Sequence, residues 1–269
     1  MSNFDSAACA ALLEEMTAIS IAAAEAIRSS LADRGVRLKA DGSPVTAADE
    51  AAEAVIRDGL ARLGLPLPVI SEESADLAGA SIAAPSFILV DPLDGTREFI
   101  AGRDEFAINI GLVADGAPAA GVITAPALGR IWRGIVGRGA ERLTLGEGKP
   151  LIEPISTRPC PPRGQPWTVA VSRLHGDART EAFIAARPHA VRSELGSAVK
   201  FGRVAEGAVD IYPRLSPTSE WDVAAGHALV TAAGGKITDS NGAALLFGGI
   251  RSDFIVPEFI AWGDPNTAF

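Results

Sequence analysis

The stretch VDPLDGTREF, Val90–Phe99, leaves the apolar run FILV, Phe87–Val90, and at once presents Asp91 and Asp94, then Gly95 and Thr96. Asp and Gly after a strand make an ordinary turn, and an aspartate there also caps a following helix. Three more acidic sites at element edges shift the reading toward chemistry. They are Asp49 in VTAADE, Glu72 and Glu73 in VISEES, and Asp222 in SEWDVAAG, just ahead of a helix. Carboxylate clusters without His or Cys partners suit a hard cation with oxygen ligands, hence Mg2+ rather than Zn2+. Pro92 constrains the backbone between the two aspartates, so the Leu93 carbonyl can join their side chains. Gly95 and Thr96 then offer backbone N–H groups at a helix start, an anion cradle. Carboxylates for metals beside N–H groups for phosphate predict phosphoryl chemistry.

Composition narrows the classes. The chain has 269 residues, 48% hydrophobic and 21% charged, enough for a real core and unlike a disordered tail. A net charge of −9 with no Lys/Arg-rich run argues against a nucleic-acid polymer as partner. A small anionic ligand then requires a local reversal of the field, which bound divalent metal supplies. Cys9 and Cys160 stand far apart in no CxxC or Cys/His pattern, so two reduced thiols are expected. The N-terminus MSNFDSAACAALLEEM carries acid where a secretory signal needs positive charge. No apolar run is expected to reach the roughly 18–20 residues that span a bilayer. A cytoplasmic protein with no transmembrane segment is the expectation.

Along the chain, Leu12, Leu13, Met16, Ile19 and Ile27 predict one helix over Asp5 to Ala32, and a second is expected over Ala47 to Leu63. VIS (Val69 to Ser71) and FILV read as buried strands. Phe106–Val113 and Ala119–Pro126 read as a hairpin turning at Asp115-Gly116, and IWRGIVG extends that sheet. ISTRPCPPRGQP, Ile155–Pro166, carries Pro159, Pro161, Pro162 and Pro166 and marks a boundary. It divides an N-terminal α+β half, residues 1–155, from a C-terminal α/β half, 156–269. In the second half WTVAVS and VDIYPR read as strands, and DARTEAFIAARP, AVKFGRVAEGA and DVAAGHALVTAAGG as helices.

Haloacid-dehalogenase phosphatases use DxDGT with a nucleophilic first aspartate. Here the spacing is Asp-x-x-Asp near residue 90, so a covalent aspartate is not expected. SEES, DPLDGT and WDVAAG, in this order and widely separated, instead resemble the lithium-sensitive, magnesium-dependent phosphatase superfamily typified by inositol monophosphatase. The resemblance runs from VTAADE to the end of the WDVAAG helix. It implies an α/β (α+β) fold of five layers, αβαβα, as in the inositol monophosphatase and fructose-1,6-bisphosphatase type, with the site where the halves meet. It assigns Glu72, Asp91, the Leu93 carbonyl, Asp94 and Asp222 to metal, and Asp49 with Thr96 to orienting and deprotonating the attacking water. Glu73 matches an acidic position of the family, and reads nearly as well as a solvated neighbour of Glu72.

Inositol phosphatases typically continue DGT with a Thr-Asn-Phe type run, whereas this chain reads DGTREFI, Asp94–Ile100. That is similar to the bacterial 3'(2'),5'-bisphosphate nucleotidases of sulfate assimilation, which carry DGTKEFI. VSRLHGD (Val171–Asp177), GSAVKFGRVAEGAVDIYPR (Gly196–Arg214) and PTSEWDVAAGHA (Pro217–Ala228) agree, although that group often has SRSH where this chain has SRLH. The resemblance implies removal of the 3'-phosphate of adenosine 3',5'-bisphosphate, giving AMP, with lithium inhibition. The equatorial oxygens would rest on Gly95 and Thr96. A second phosphate needs a cation outside catalysis, and Arg97, Lys200 with Ser197, Arg214, Arg173 and His175 are the candidates, beside Asp222. His189 and His227 read as structural, and Tyr212, the only tyrosine, as a core or edge residue. The rival readings are an inositol or other sugar monophosphatase on the same scaffold, and a non-catalytic metal- and phosphate-sensing protein. The residues leave the oligomeric state open; relatives with inositol specificity suggest a homodimer, and some relatives a peripheral membrane association.

Overall fold

The alanine-rich opening forms helix α1 (Ser6–Ser29). A short antiparallel pair, β1 (Arg37–Leu38) and β2 (Pro44–Val45), leads to α2 (Ala47–Arg62). The chain is described here from a computed structural model, which covers residues 6–30, 35–39, 42–73, 84–162, 164–173, 176–187, 189–248 and 254–267. The ends of the expected first helix, Asp5, Leu31 and Ala32, lie outside those residues, as does His175. Leu12, Leu13, Met16 and Ile27 of α1 are buried together with Ala52, Ile56 and Leu60 of α2. Contrary to the sequence expectation, Ala7–Ser29 is long and apolar enough to cross a membrane by length and composition. Alanines raise the apolar count without broadening the stripe, and half of the most apolar 18-residue window is buried inside the protein.

Strands β3 (Val69–Ser71), β4 (Ser86–Asp94), β5 (Ala107–Ala114), β6 (Ala117–Ala125), β7 (Arg130–Ile135), β8 (Gly139–Thr144) and β9 (Leu151–Ile155) form one sheet, with helix α3 (Thr96–Ile100) after β4. The seven strands lie in chain order; β3 and β4 are parallel and every later neighbour is antiparallel. A second sheet of five strands has the order β11-β10-β12-β16-β14. Its elements are β10 (Thr168–Ser172), α4 (Ala178–Ala185), β11 (Val191–Leu195), α5 (Val199–Ala205) and β12 (Ile211–Arg214). The short β13 (Thr218–Ser219), α6 (Glu220–Ala232), β14 (Lys236–Thr238), β15 (Ile255–Val256) and β16 (Phe259–Trp262) complete it, with β13 pairing β15 outside the main sheets.

Three apolar clusters define five layers, α1/α2, large sheet, α5/α6, small sheet and α4. One joins α1 and α2 to the large sheet through Ile88, Ile110 and Val122. A second fills the space between the sheets with Phe201, Ala224, Leu229 and Phe259. The third backs the small sheet with Val169, Ile184 and Trp262. Helix α6 can lie this close to the large sheet because Gly121 has no side chain: a Cβ there would meet the Ala225 carbonyl at 2.3 Å. Thus a helix from the second half packs its alanine face onto the sheet of the first.

The sequence places DPLDGT after a strand, but β4 runs on through Asp94. Asp91 pairs with Asn109 and Asp94 with Ala107, so three steps on β4 match two on β5. That extra residue is a bulge, which accommodates Pro92, and it restores the phase that an odd spacing would otherwise break. Both aspartates therefore face the same side, while Leu93 is turned into the α1/α2 core. Behind the bulge Phe99 is buried, its ring edge-on to Phe106 at 5.3 Å. Truncating such a core aromatic costs about 3–5 kcal/mol and would let the bulge drift.

Candidate metal and phosphate site

Two of the carboxylates are placed by the same device. Asp49 and Asp222 each stand at the third position of a helix and accept from the backbone N–H of the capping residue, Thr46 at 2.8 Å and Ser219 at 3.4 Å. Asp222 is therefore inside the first turn of α6 and not ahead of the helix, as the sequence reading had it. Its Oδ2 also accepts from the Thr218 hydroxyl. Thr-x-x-Asp in VTAADE and Ser-x-x-Asp in TSEWD satisfy helix ends and fix two functional side chains with the same atoms.

Glu72 follows β3, and its N–H donates to the Val90 carbonyl at 3.1 Å, so it stands beside Asp91 across the ladder. Oxygens of Glu72, Asp91 and Asp222 lie within 4.8 Å of one another. Such crowding is unfavourable for bare carboxylates. Burial raises the Asp91 carboxyl well above its usual range, and Glu72, Asp94 and Asp222 add to the effect. Burial and Asp94 push Asp222 up to about 6 against the pull of Arg214 and Thr218. Burial also raises Glu72, opposed by Lys39 and assisted by Asp222 and Asp49. Three oxygen-only donors that repel one another are what a hard divalent cation relieves, so these residues fit a metal.

Asp94 lies outside that three-residue group. Its Oδ2 accepts from the Ala198 N–H and from Asn109 Nδ2 at 3.5 Å. Burial raises its carboxyl, while Lys200 and Ala198 act against the rise. Ser197, at φ 45°, takes the left-handed conformation that aims the Ala198 N–H at Asp94. Across from it Gly95 has φ 93°, and a Cβ there would approach Ser197 Cβ at 3.2 Å. Glycine is needed on both counts, and the two halves of the chain touch at this point.

Thr96 Oγ1 lies 3.0 Å from Asp49 Oδ1 and 3.2 Å from the Leu93 carbonyl, with its proton shared between them. Both Asp49 oxygens are occupied, since Oδ2 also accepts from Thr46 Oγ1 at 2.6 Å. The Thr96 oxygen consequently keeps lone pairs for a water donor. A cavity of about 300 Å³ is lined by Glu72, Asp91, Leu93, Asp94, Gly95, Thr96, Arg97, Ser197, Lys200, Arg214 and Asp222. The residues assigned to metal line this one space together with Gly95, Thr96, Arg97, Ser197, Lys200 and Arg214, and Asp49 reaches it through Thr96.

Lys200 is in the first turn of α5 and buried. Its ammonium donates to the Ser197 carbonyl at 2.6 Å and stands 5.1 Å over the Tyr212 ring. Burial draws it down to about 8, with Asp94 opposing. Arg214 donates to the Pro217 carbonyl at 3.3 Å, and its buried Nε has no hydrogen-bond partner among the described residues. Arg173 does not join them: its guanidinium is held by Glu105 and by the Glu194 carbonyl at 3.0 Å. Tyr212 is buried, packed on Phe201 and Phe259 with centroids 5.1 Å away in each case. His227 sits inside α6 against Phe247, and burial lowers its imidazole to about 4, so it stays neutral.

Lys39 was not anticipated. Its ammonium lies 2.7 Å from Glu72 Oε1 and 2.7 Å from Glu73 Oε1. Burial works against that charge, but the two glutamates outweigh it and hold the ammonium above its ordinary value. Burial pushes Glu73 up to about 6 despite Lys39, so it is an ion-pair member and not merely a solvated neighbour. Nothing in the spacing of VRLKADG signals this contact, which joins the residue after β1 to the two residues after β3.

If the three carboxylates are a cation site, Asp91→Asn should raise the melting temperature in EDTA by a few degrees, about 2–4 °C per kcal/mol of relieved repulsion. The same change should abolish the rise in melting temperature that Mg2+ gives the wild type. Thermal melts with EDTA and with Mg2+ check both; a lower melting temperature in EDTA would show that the cluster is not under electrostatic strain.

A model of the inositol monophosphatase family matches residues 3–261 of this chain. The chain is 41% identical over 223 residues to the 3'(2'),5'-bisphosphate nucleotidase CysQ of Shigella flexneri, covering 82% of this chain and 86% of that protein. Against the Escherichia coli K12 protein of the same name the identity is 40% over 223 residues, with the same coverage of 82% and 86%. Among solved structures, CysQ from Bacteroides thetaiotaomicron superposes with a TM-score of 0.79 at 31% identity, over 96% of this chain and 98% of that one. An inositol monophosphatase from Anabaena (Nostoc) sp. PCC 7120 gives a TM-score of 0.73 at 27% identity, over 95% and 91%.

Proposed function

The chain belongs to the inositol monophosphatase family, and on that premise we propose that it is a Mg2+-dependent 3'(2'),5'-bisphosphate nucleotidase. It removes the 3'-phosphate of adenosine 3',5'-bisphosphate, leaving AMP and phosphate. The observation that carries the substrate class is the joining of one carboxylate group with two cations of the second half, Lys200 and Arg214, in a single cavity. A monophosphate needs one anion cradle; a bisphosphate needs a second positive site apart from the reacting phosphate.

Glu72, Asp91 and Asp222 would hold Mg2+, with the Leu93 carbonyl and Asp94 at its border. Bound there, the ion polarises the phosphoryl oxygens, acidifies water and neutralises charge on the leaving oxygen. Asp49 holds the Thr96 hydroxyl, leaving the threonine oxygen to accept from the attacking water, and the carboxylate drains the proton as attack proceeds in line. The Gly95 and Thr96 N–H groups receive the equatorial oxygens. Arg97, exposed at the cavity rim, meets the approaching anion. Lys200, set by Ser197, and Arg214 hold the second phosphate. No covalent intermediate forms. Lithium, a small hard ion of lower charge, inhibits by taking a magnesium position. Among the described residues neither Cys9 nor Cys160 is in a disulfide, which fits a reducing, cytoplasmic compartment.

Lys200→Met keeps the buried stem and removes the charge. It should lower kcat/KM for adenosine 3',5'-bisphosphate by about 10- to 100-fold, the scale of one charge-assisted hydrogen bond. For adenosine 3'-monophosphate, which lacks the second phosphate, the change should be within about threefold on the same scale. Equal losses on both nucleotides would place Lys200 in the scaffold and not at the second phosphate.

A further inference from the structure

Glu53 lies on the buried face of α2, one turn beyond Asp49, and is 8% exposed. Its Oε2 accepts from the Ser71 hydroxyl. Its Oε1 is buried with no hydrogen-bond partner among the described residues, and Arg57 stands off at 3.9 Å with its own side chain 57% exposed. A buried carboxylate held by one hydroxyl loses more hydration than that bond returns. Packing does not explain it either, because its helix neighbours Ala52, Ile56 and Leu60 make an apolar contact that a leucine would extend.

Ser71 explains it. This residue is 1% exposed and ends β3, where its backbone pairs with Val90. Alternation along the strand sends the Ser71 side chain to the helix layer and the next side chain, Glu72, to the cavity. Gripping Ser71 therefore fixes the backbone from which Glu72 projects. The same helix grips Thr96 through Asp49 at 3.0 Å. One rigid element thus sets the distance between the water-orienting pair and a cation ligand.

We propose that Glu53 is a positioning residue that fixes Glu72 for the cation through Ser71, so that α2 holds both sides of the site in register. The proposal rests on the metal reading above. Groups that orient metal ligands from behind commonly change metal affinity 10- to 100-fold when removed. Glu53→Ala, Ser71→Ala, the double variant and Glu53→Gln are compared by calorimetric Mg2+ titration, which needs no turnover, by phosphate release and by thermal melting. Each single alanine variant should weaken Mg2+ about tenfold or more, and the double variant should be no worse than the weaker single one, because both break one link. At saturating Mg2+ the nucleotide KM should stay within about twofold, and Glu53→Gln, which still accepts from Ser71, should recover affinity to within about threefold. Ser71→Ala keeps the test decisive if Glu53→Ala does not fold. Wild-type Mg2+ affinity in Ser71→Ala, additive losses in the double variant, or a loss that Glu53→Gln fails to recover would overturn the proposal. Absence of nucleotide hydrolysis by the wild type would strike the functional reading instead, leaving the titrations to judge Glu53.

Discussion

Asp94→Asn is expected to lower turnover of adenosine 3',5'-bisphosphate at least about a hundredfold with little change in fold. The asparagine fits the same space and can still accept from the Ala198 N–H with its oxygen. What it loses is charge at the meeting point of the halves. Asp94 faces Lys200 and Arg214, and burial raises its carboxyl while Lys200, the Ala198 N–H and Arg214 act against the rise. Neutralising it leaves Lys200 buried without its main counter-charge and removes an anionic oxygen from the edge of the metal group. Steady-state rates over a Mg2+ series, with far-ultraviolet circular dichroism as control, check this. Near-normal turnover would mean that the site has been misplaced.

Asp49→Asn should be as severe, about a thousandfold within the range spanned by acid–base groups, through a different route. The capping position needs an acceptor for the Thr46 N–H, 2.8 Å from Oδ2, so the amide oxygen will turn there. That puts the NH2 group against Thr96 Oγ1, where Oδ1 now accepts at 3.0 Å. The threonine hydroxyl must then accept from the asparagine and give its proton to the Leu93 carbonyl at 3.2 Å. The oxygen reserved for water is spent, while the helix cap survives. The expected signature is a collapse of kcat with a melting temperature close to wild type. If the melting temperature falls with activity, Asp49 is chiefly a cap and the water is oriented by other groups.

Much of this site is legible in the sequence because its residues sit in short local devices. Thr-x-x-Asp and Ser-x-x-Asp cap helices, and Asp-Pro-Leu-Asp-Gly-Thr forces a backbone irregularity; each is written within a few consecutive residues. The large helices α1, α2 and α6 follow from apolar stripes and alanine content, and β3 to β7 from apolar runs. Strands β8 and β9 were not expected. Their sequences, GAERLT and LIEPI, alternate weakly and lie toward one edge of the large sheet, where β9 leaves Leu151 and Ile152 exposed. The short strands β14 and β16 pair with each other and were missed for a similar reason: three or four residues carry too little pattern. The position of the bulge could not be read, since DPLD looks like the end of a strand until its partners Asn109 and Ala107 are known. Lys39 beside Glu72, and Glu53 beside Ser71, are contacts between elements with no shared motif. Arg173 is paired with Glu105, 68 residues earlier, a contact between elements that no local pattern shows.

The most direct test is phosphate release with Mg2+ from adenosine 3',5'-bisphosphate and inositol 1-phosphate, measured side by side on the same preparation. Strong preference for the nucleotide is the predicted result, with release lost in EDTA and restored by Mg2+. Preference for inositol 1-phosphate would contradict the assignment of Lys200 and Arg214 to a second phosphate, and release from neither substrate would contradict the phosphatase reading itself.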